Sequence, residues 1–117
     1  MSTIDLTAGN FEQTVLDNEI VFVDFWASWC GPCRNFAPIY QAASEQHDDL
    51  VFASVDTEAE QQLAAAAKIT SIPTLMAFKK GSLVFSQAGA LPAPALEQVI
   101  AAVRDFDVDA AKAAGGE

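Results

Sequence analysis

The sequence predicts an α/β fold in which helices cover both faces of a central mixed β-sheet. Two observations indicate this class. Apolar runs typical of buried strands alternate with helical apolar periods, and a short glycine-containing turn joins the last two runs. The chain has 117 residues, half of them apolar, which predicts one domain with a sizeable core.

The strands are predicted from apolar runs rich in β-branched and aromatic residues. The run at 20–26 is nearly continuous, so we expect a central strand buried on both faces. The runs at 50–56 and 73–79 have the same character. The turn at 79–82 leads into a further run at 83–89, which predicts an antiparallel hairpin at the end of the sheet.

The helices are predicted from apolar residues that recur every three or four positions between and after the strands. An early helix carries Phe11 and Val15, with Thr7 and Asn10 as candidate caps. The later periods comprise Phe36, Ile39, Tyr40 and Ala43; Leu63, Ala64 and Ala67; and Leu96, Val99, Ile100 and Val103. The order is therefore β-α-β-α-β-α-β-β-α. We expect one domain over 1–107, followed by a short polar C-terminal extension over 108–117 that frays from the last helix.

Charge argues against several classes of partner. The net charge is −10, and the six basic residues form no stripe, which argues against nucleic-acid binding. The N-terminal residues show no signal peptide, and no apolar run approaches the length that spans a membrane. We therefore expect a cytoplasmic protein without nucleic-acid or membrane partners, in a compartment where a pair of close cysteines is more often catalytic or metal-binding than structural.

The only two cysteines, Cys30 and Cys33, are separated by Gly31 and Pro32. Residues three apart on a helix are close enough for a disulfide, and the loop so closed is too small to stabilise the fold much. A reversible bond is therefore expected. Gly31 permits the turn, and Pro32 fits the first helical turn because it needs no N–H donor there.

The start of a helix favours a thiolate, because unpaired N–H groups and the positive end of the dipole lie there. We expect Cys30 to be the exposed nucleophile, which forms a mixed disulfide with a substrate. Cys33, more enclosed, would then attack the sulfur of Cys30 and release the reduced substrate. A metal is the alternative. Zinc needs four ligands, and His47 lies about 20 Å along the same helix, so a monomeric zinc site is excluded. A zinc shared by a dimer, or an iron–sulfur cluster, stays open.

The segments VDFWASWCGPCRNFAP (23–38), SIPT (71–74) and GA (89–90) resemble the thioredoxin family in order and spacing, and the resemblance extends over 3–106. It implies the thioredoxin fold and a general protein-disulfide reductase that acts as an electron carrier. It also implies no bound cofactor beyond the Cys30–Cys33 disulfide, electrons from NADPH through a flavoprotein thioredoxin reductase, and disulfide-containing client proteins. We expect a monomer.

The resemblance assigns a role to each matching residue. Cys30 is the nucleophile and Cys33 the resolving thiol, Asp24 is a buried acid, and Pro73 is a cis-proline that faces the dithiol. The expected substrate-binding patch comprises Trp29, Ile72, Gly89 and Ala90.

Asp24 is also notable from its position alone, because it shares a strand face with apolar Phe22 and a buried carboxylate costs free energy. Taken together with the resemblance, this position leads us to expect that Asp24 exchanges a proton with Cys33. The family often has a lysine near this acid, whereas Ser54 occupies the aligned position here. The pKa of Asp24 is therefore predicted to rise with burial.

Two other functions remain open. The fold could serve as a binding or scaffold subunit with a redundant dithiol, or the protein could be a disulfide isomerase or oxidase.

Overall fold

A computed structural model describes residues 3–115 of the protein, with side chains as far as residue 111. The elements in chain order are β1 (Thr3–Asp5), α1 (Phe11–Asp17), β2 (Ile20–Trp26), α2 (Gly31–Gln46), β3 (Val51–Asp56), α3 (Gln61–Ala66), β4 (Thr74–Lys79), β5 (Ser82–Ala88), α4 (Ala93–Asp105) and α5 (Val108–Gly115). The five strands form one sheet in the order β1-β3-β2-β4-β5. This confirms the predicted α/β class and the predicted alternation.

The sheet is mixed. Strands β1, β3 and β2 are parallel, whereas β4 pairs antiparallel with β2 and β5 antiparallel with β4. The carboxyl ends of β2 and β3 therefore meet the beginning of β4 at one edge, where Phe25 is opposite Val55 and Thr74. The predicted hairpin is confirmed. Its turn residues, Lys80 and Gly81, both have positive φ, of 52° and 80°, as a two-residue hairpin turn requires.

Each face of β2 belongs to a different core, which is why its sequence is almost continuously apolar. Phe22 packs with Phe36, Tyr40 and Ile100 beneath α2 and α4. The alternate residues of β2 pack beneath α1 and α3 in a second cluster, which includes Val21, Val23, Phe25, Val55 and Met76. Asp24 has the parity of Phe22, so it points towards α2 rather than towards solvent.

Two terminal features of helices differ from expectation. Asn10 precedes α1, but its side chain makes no cap bond with the helix and accepts instead from the N–H of Thr7, at 2.7 Å. At the other end of the chain, Phe106 has extended backbone and ends α4, so α5 is a separate helix rather than a frayed continuation. Val108, the first residue of α5, is buried, and the Asp107 carboxylate accepts from the N–H of Ala110.

Lys79 is buried at the end of β4, although its sequence context gives no sign of this. Its ammonium donates to the carbonyls of Val103, Arg104 and Phe106, at 2.8, 2.6 and 2.7 Å. These carbonyls lie at the C-terminus of α4, where the helix leaves its last acceptors unpaired and the dipole favours a cation. The lysine therefore joins the sheet to that helix end.

Candidate active site

The two cysteines lie where β2 ends and α2 begins. Cys30 occupies the N-cap position of α2, and its sulfur accepts from the backbone N–H of Cys33 at 3.1 Å. Pro32 lies in the first turn, where the missing N–H costs nothing. The cysteines form a disulfide with a Cα–Cα distance of 5.2 Å, so the predicted bridge between residues three apart is confirmed.

Both sulfurs are enclosed in this disulfide form. Cys30 is 4% exposed and Cys33 is 3% exposed, so the predicted exposure of Cys30 is wrong for the oxidised state. The segment that contains Ile72 covers the two cysteines. The carbonyl oxygen of Ile72 lies 3.8 Å from the Cys30 sulfur, and the side chain of Ile72 packs against the cluster that contains both cysteines.

Pro73 immediately precedes β4 and is buried beside this segment. The Ile72–Pro73 peptide bond is cis, as the resemblance implies. The carbonyl of Pro73 accepts from the N–H of Gly89 at 2.8 Å, and Gly89 has a φ of 103°. The last hairpin is thus tied to the segment that faces the disulfide.

The predicted apolar patch is only partly brought together. Trp29 is 63% exposed, and with Ile72 it lines a groove bounded by α3. Its indole N–H donates to the carboxylate of Glu58. Gly89 and Ala90 are exposed but do not line this groove. The hydrogen bond from the N–H of Gly89 to the carbonyl of Pro73 links the two regions.

Asp24 is 5% exposed, and its Oδ1 atom has no hydrogen-bond partner among the described residues. Burial raises the pKa of Asp24 to about 7, which confirms the predicted direction. Ser54 is its neighbour on β3, but the hydroxyl of Ser54 donates to Asp5 at 3.1 Å. Burial also raises the pKa of Tyr40, with a smaller contribution from the charge of Asp24.

A cavity of about 220 Å³ connects Asp24 with the dithiol, because both Asp24 and Cys33 line it. The other lining residues are Trp26, Ala27, Ser28, Arg34, Ala37, Tyr40 and Ser54. Arg34 donates to the carbonyl of Ser28 at 2.8 Å and thereby spans the loop before α2. The carboxylate of Asp24 and Cys33 therefore line the same groove, which is open to solvent at the exposed residues Ser28, Arg34 and Ala37.

Glu58 was not predicted from the sequence as a site residue. It follows β3 by two positions, and the carboxyl end of β3 lies at the same sheet edge as that of β2. This placement could have identified it once a parallel pairing was assumed. Among residues 3–111, no group of three or more metal-ligating side chains is arranged to hold an ion.

The thioredoxin family model matches residues 2–102 of the chain. The chain belongs to the thioredoxin family. This thioredoxin is 53% identical over 116 residues to a Streptomyces coelicolor relative, a match that covers 99% of this chain and 87% of the relative. It is 40% identical over 102 residues to the thioredoxin of Porphyra purpurea, covering 86% of this chain and 95% of that one.

Solved thioredoxin structures have the same fold. A mutant thioredoxin from Halobacterium salinarum aligns with a TM-score of 0.83 at 29% identity, over 91% of this chain and 94% of that one. Plasmodium falciparum thioredoxin aligns with a TM-score of 0.78 at 38% identity, over 83% and 95%. Like its homologues, this thioredoxin is a thiol–disulfide oxidoreductase, and the adjacent cysteine pair is its redox centre.

Proposed function

We propose that this thioredoxin is a general reductant of protein disulfides in which Cys30 attacks and Cys33 resolves. The supporting observation is the position of Cys30 at the N-cap of α2, where its sulfur already accepts an N–H bond. The same bond would stabilise a thiolate in the reduced protein. The Cys30 thiolate attacks one sulfur of the client disulfide, and the other client sulfur leaves as a thiolate that takes up a proton.

Cys33 completes the exchange. Its thiolate attacks the Cys30 sulfur of the mixed disulfide, so the Cys30–Cys33 bond forms as the bond to the client breaks. Asp24 takes the proton from the Cys33 thiol, a role that its elevated pKa and the shared cavity both support. The second client sulfur leaves as a thiolate and is protonated, so the client gains two electrons and two protons, one from the Cys33 thiol and one from solvent.

Client binding is proposed for the exposed surface around the disulfide. Trp29 offers an apolar face beside Cys30, and Ile72, Gly89 and Ala90 belong to loops on the same side of the sheet edge. The backbone of Ile72 could pair with an extended client segment in the manner of an added strand. We place the residues of this exchange within 1–107, with 108–117 as an extension.

The source of electrons is proposed from the family. A flavoprotein thioredoxin reductase that uses NADPH would reduce the Cys30–Cys33 bond, and the protein would act in the cytoplasm as a monomer. No helix among the described residues has the length and apolar character needed to cross a membrane.

The decisive experiment measures insulin reduction by turbidity with dithiothreitol, beside the variants Cys30→Ser and Cys33→Ser. We expect Cys30→Ser to be inactive in this assay. In a separate reaction without dithiothreitol, reduced Cys33→Ser should accumulate a mixed disulfide with insulin that mass spectrometry detects on Cys30. If Cys30→Ser reduces insulin as well as the unaltered protein, the carrier role is wrong and a binding role is favoured. A coupled assay with NADPH and a flavoprotein reductase tests the source of electrons.

A further inference from the structure

The surface beside the disulfide carries a single exposed charge, that of Arg34. The segments 20–44, 69–78 and 81–96, which include the cysteines and the loops around them, contain only two charged residues, Asp24 and Arg34. Asp24 is buried, whereas Arg34 is exposed. This part of the surface is therefore cationic, although the net charge of the whole protein is −10.

The guanidinium of Arg34 lies against the turn between the two cysteines. One of its N–H groups donates to the carbonyl of Ser28 at 2.8 Å. Its Nη2 atom lies 4.0 Å from the place that a Cβ on Gly31 would occupy, and Gly31 directly follows Cys30. The charge is thus held close to the reacting cysteine by a backbone carbonyl, which fixes the side chain and leaves its charge uncompensated.

No carboxylate of the described residues pairs with this guanidinium. Among residues 3–111, the basic side chains that form ion pairs are those of His47, Lys80 and Arg104. Asp24 is not a partner, because burial alone raises its pKa and the guanidinium has no part in the shift. A guanidinium has several N–H donors in a planar fork that fits a carboxylate. Arg34 can therefore offer its other donors to a carboxylate of another molecule.

We propose that Arg34 is a specificity-determining residue that favours clients with Asp or Glu next to the reacting cysteine. The guanidinium would donate to that carboxylate while the Cys30 thiolate attacks the neighbouring client sulfur. The bond between Cys30 and the client forms as the client disulfide breaks, and the other client sulfur leaves as a thiolate that takes up a proton from solvent. The proposal rests on the attack by Cys30 that is proposed above.

The position of Gly31 explains why the acidic residue should be adjacent to the client cysteine. The guanidinium lies beside the residue that directly follows Cys30, so the ion pair forms about one residue away from the new disulfide. A charge-assisted pair with a planar guanidinium is stronger than a neutral hydrogen bond, and it persists better in salt than attraction between distant charges. The preference should therefore remain when the long-range repulsion by the acidic surface is screened.

The test compares two peptide disulfides in stopped-flow reactions with the reduced protein at about 500 mM salt. The acidic probe is the disulfide dimer of the capped peptide Gly-Glu-Cys-Glu-Gly, and the neutral probe has Gln in place of both Glu residues. The measured quantity is the ratio of the second-order rate constant for the acidic probe to that for the neutral probe. Because the peptides are the same for every protein variant, a change in this ratio reports on the protein alone.

We expect Arg34→Gln to lower this ratio about three- to fivefold, since it removes the charge from the site. Arg34→Lys retains the charge without the planar fork and should lower the ratio less than about twofold. Lys80→Gln is the matched control, because it changes the net charge equally at the hairpin turn, and it should leave the ratio unchanged. An unchanged ratio in Arg34→Gln, or an equal fall in Lys80→Gln, would overturn the proposal.

The neutral probe separates specificity from a general effect on reactivity. If Arg34 acted only by stabilising the Cys30 thiolate, Arg34→Gln would slow both probes equally and the ratio would stay constant, which contradicts the proposal. Cys30→Ser tests the proposed function itself. If this variant reacts with the neutral probe as fast as the unaltered protein does, the attack by Cys30 is wrong, and that failure is distinct from an unchanged ratio in Arg34→Gln.

Discussion

At the scale of single residues, Asp24 lowers stability and is proposed to transfer a proton. Its carboxyl is enclosed by the core beneath α2, and burial raises its pKa from 3.8 to about 7. The folded protein therefore binds a proton that the unfolded chain has already released between those two pH values. Asp24 therefore leaves the free energy of unfolding unchanged below about pH 4, where it is protonated in both states. The free energy of unfolding falls as the pH rises from 4 to 7 and stays lowered above pH 7.

We predict that Asp24→Asn stabilises the protein at pH 8 by up to about 4 kcal/mol and has little effect at pH 3.5. The same variant should slow insulin reduction by at least about tenfold, because the proton acceptor for Cys33 is removed. Urea denaturation at both pH values gives the first quantity. The control, Asp48→Asn, alters a carboxylate outside the site and should change neither. Destabilisation at pH 8 would contradict the cost assigned to the buried charge.

Gly81, in the turn between β4 and β5, is required for its backbone conformation rather than for a chemical role. Its φ is +80°, and a Cβ at this position would lie 3.3 Å from the Cδ2 atom of Leu16. We predict that Gly81→Ala destabilises the protein by about 1–2 kcal/mol, since an L side chain is strained there. Gly9→Ala is the control, because Gly9 has no such φ and the nearest atom lies 3.6 Å away. Equal thermal stability of the two variants would refute this assignment.

At the scale of elements, Lys79 holds the end of β4 to the C-terminus of α4. Replacement by Met removes three donor contacts and leaves the carbonyls of Val103, Arg104 and Phe106 without their partner. We predict that Lys79→Met lowers the free energy of unfolding by about 2–4 kcal/mol. The neighbouring Lys80→Met removes an exposed ion pair with Asp109, which solvent screens, and should lower the free energy of unfolding far less than Lys79→Met does. If chemical denaturation gave similar decreases in the free energy of unfolding for both variants, the buried contacts of Lys79 would contribute no more than an exposed ion pair.

The elements themselves were predictable because their signals are strong. The run at 20–26 is too apolar for an exposed strand, and the three- and four-residue periods of α2 and α4 mark faces that are indeed buried. The place of Asp24 could be read from its parity on β2 alone. Its predicted pKa direction also followed from the absence of a cation at Ser54.

The predictions were wrong or absent at positions where contacts between distant parts of the chain determine the structure. The residues near Lys79 in the sequence do not indicate that the C-terminus of α4 packs against it. Its burial could therefore not be predicted. The exposure predicted for Cys30 failed because Ile72, forty-two residues later, covers the sulfur. The side chain of Asn10 could accept a hydrogen bond either from the first turn of α1 or from the preceding turn, and the sequence does not distinguish the two. In the structure it accepts from the N–H of Thr7.

At the scale of the whole molecule, the net charge of −10 should influence which small disulfides react fastest. We predict that reduced thioredoxin reacts with cationic cystamine about three- to tenfold faster at about 10 mM salt than at about 500 mM, because the attraction is screened at high salt. Anionic dithiodipropionate should show the reverse trend, and neutral hydroxyethyl disulfide should show almost none. Stopped-flow measurement of each rate against ionic strength checks this. Identical salt dependence for all three would mean that the net charge has no part in the encounter.

The mixed direction of the sheet has a consequence for how such a protein diversifies. Because β4 runs against β2, the loops holding Cys30, Glu58 and Ile72 emerge at one rim, while the Lys79 anchor and the hairpin turn lie at the opposite rim. Substitutions in the proposed client surface at the first rim can accumulate without loosening the Lys79 contacts at the second. The architecture thus separates the proposed recognition surface from the buried lysine that joins β4 to α4.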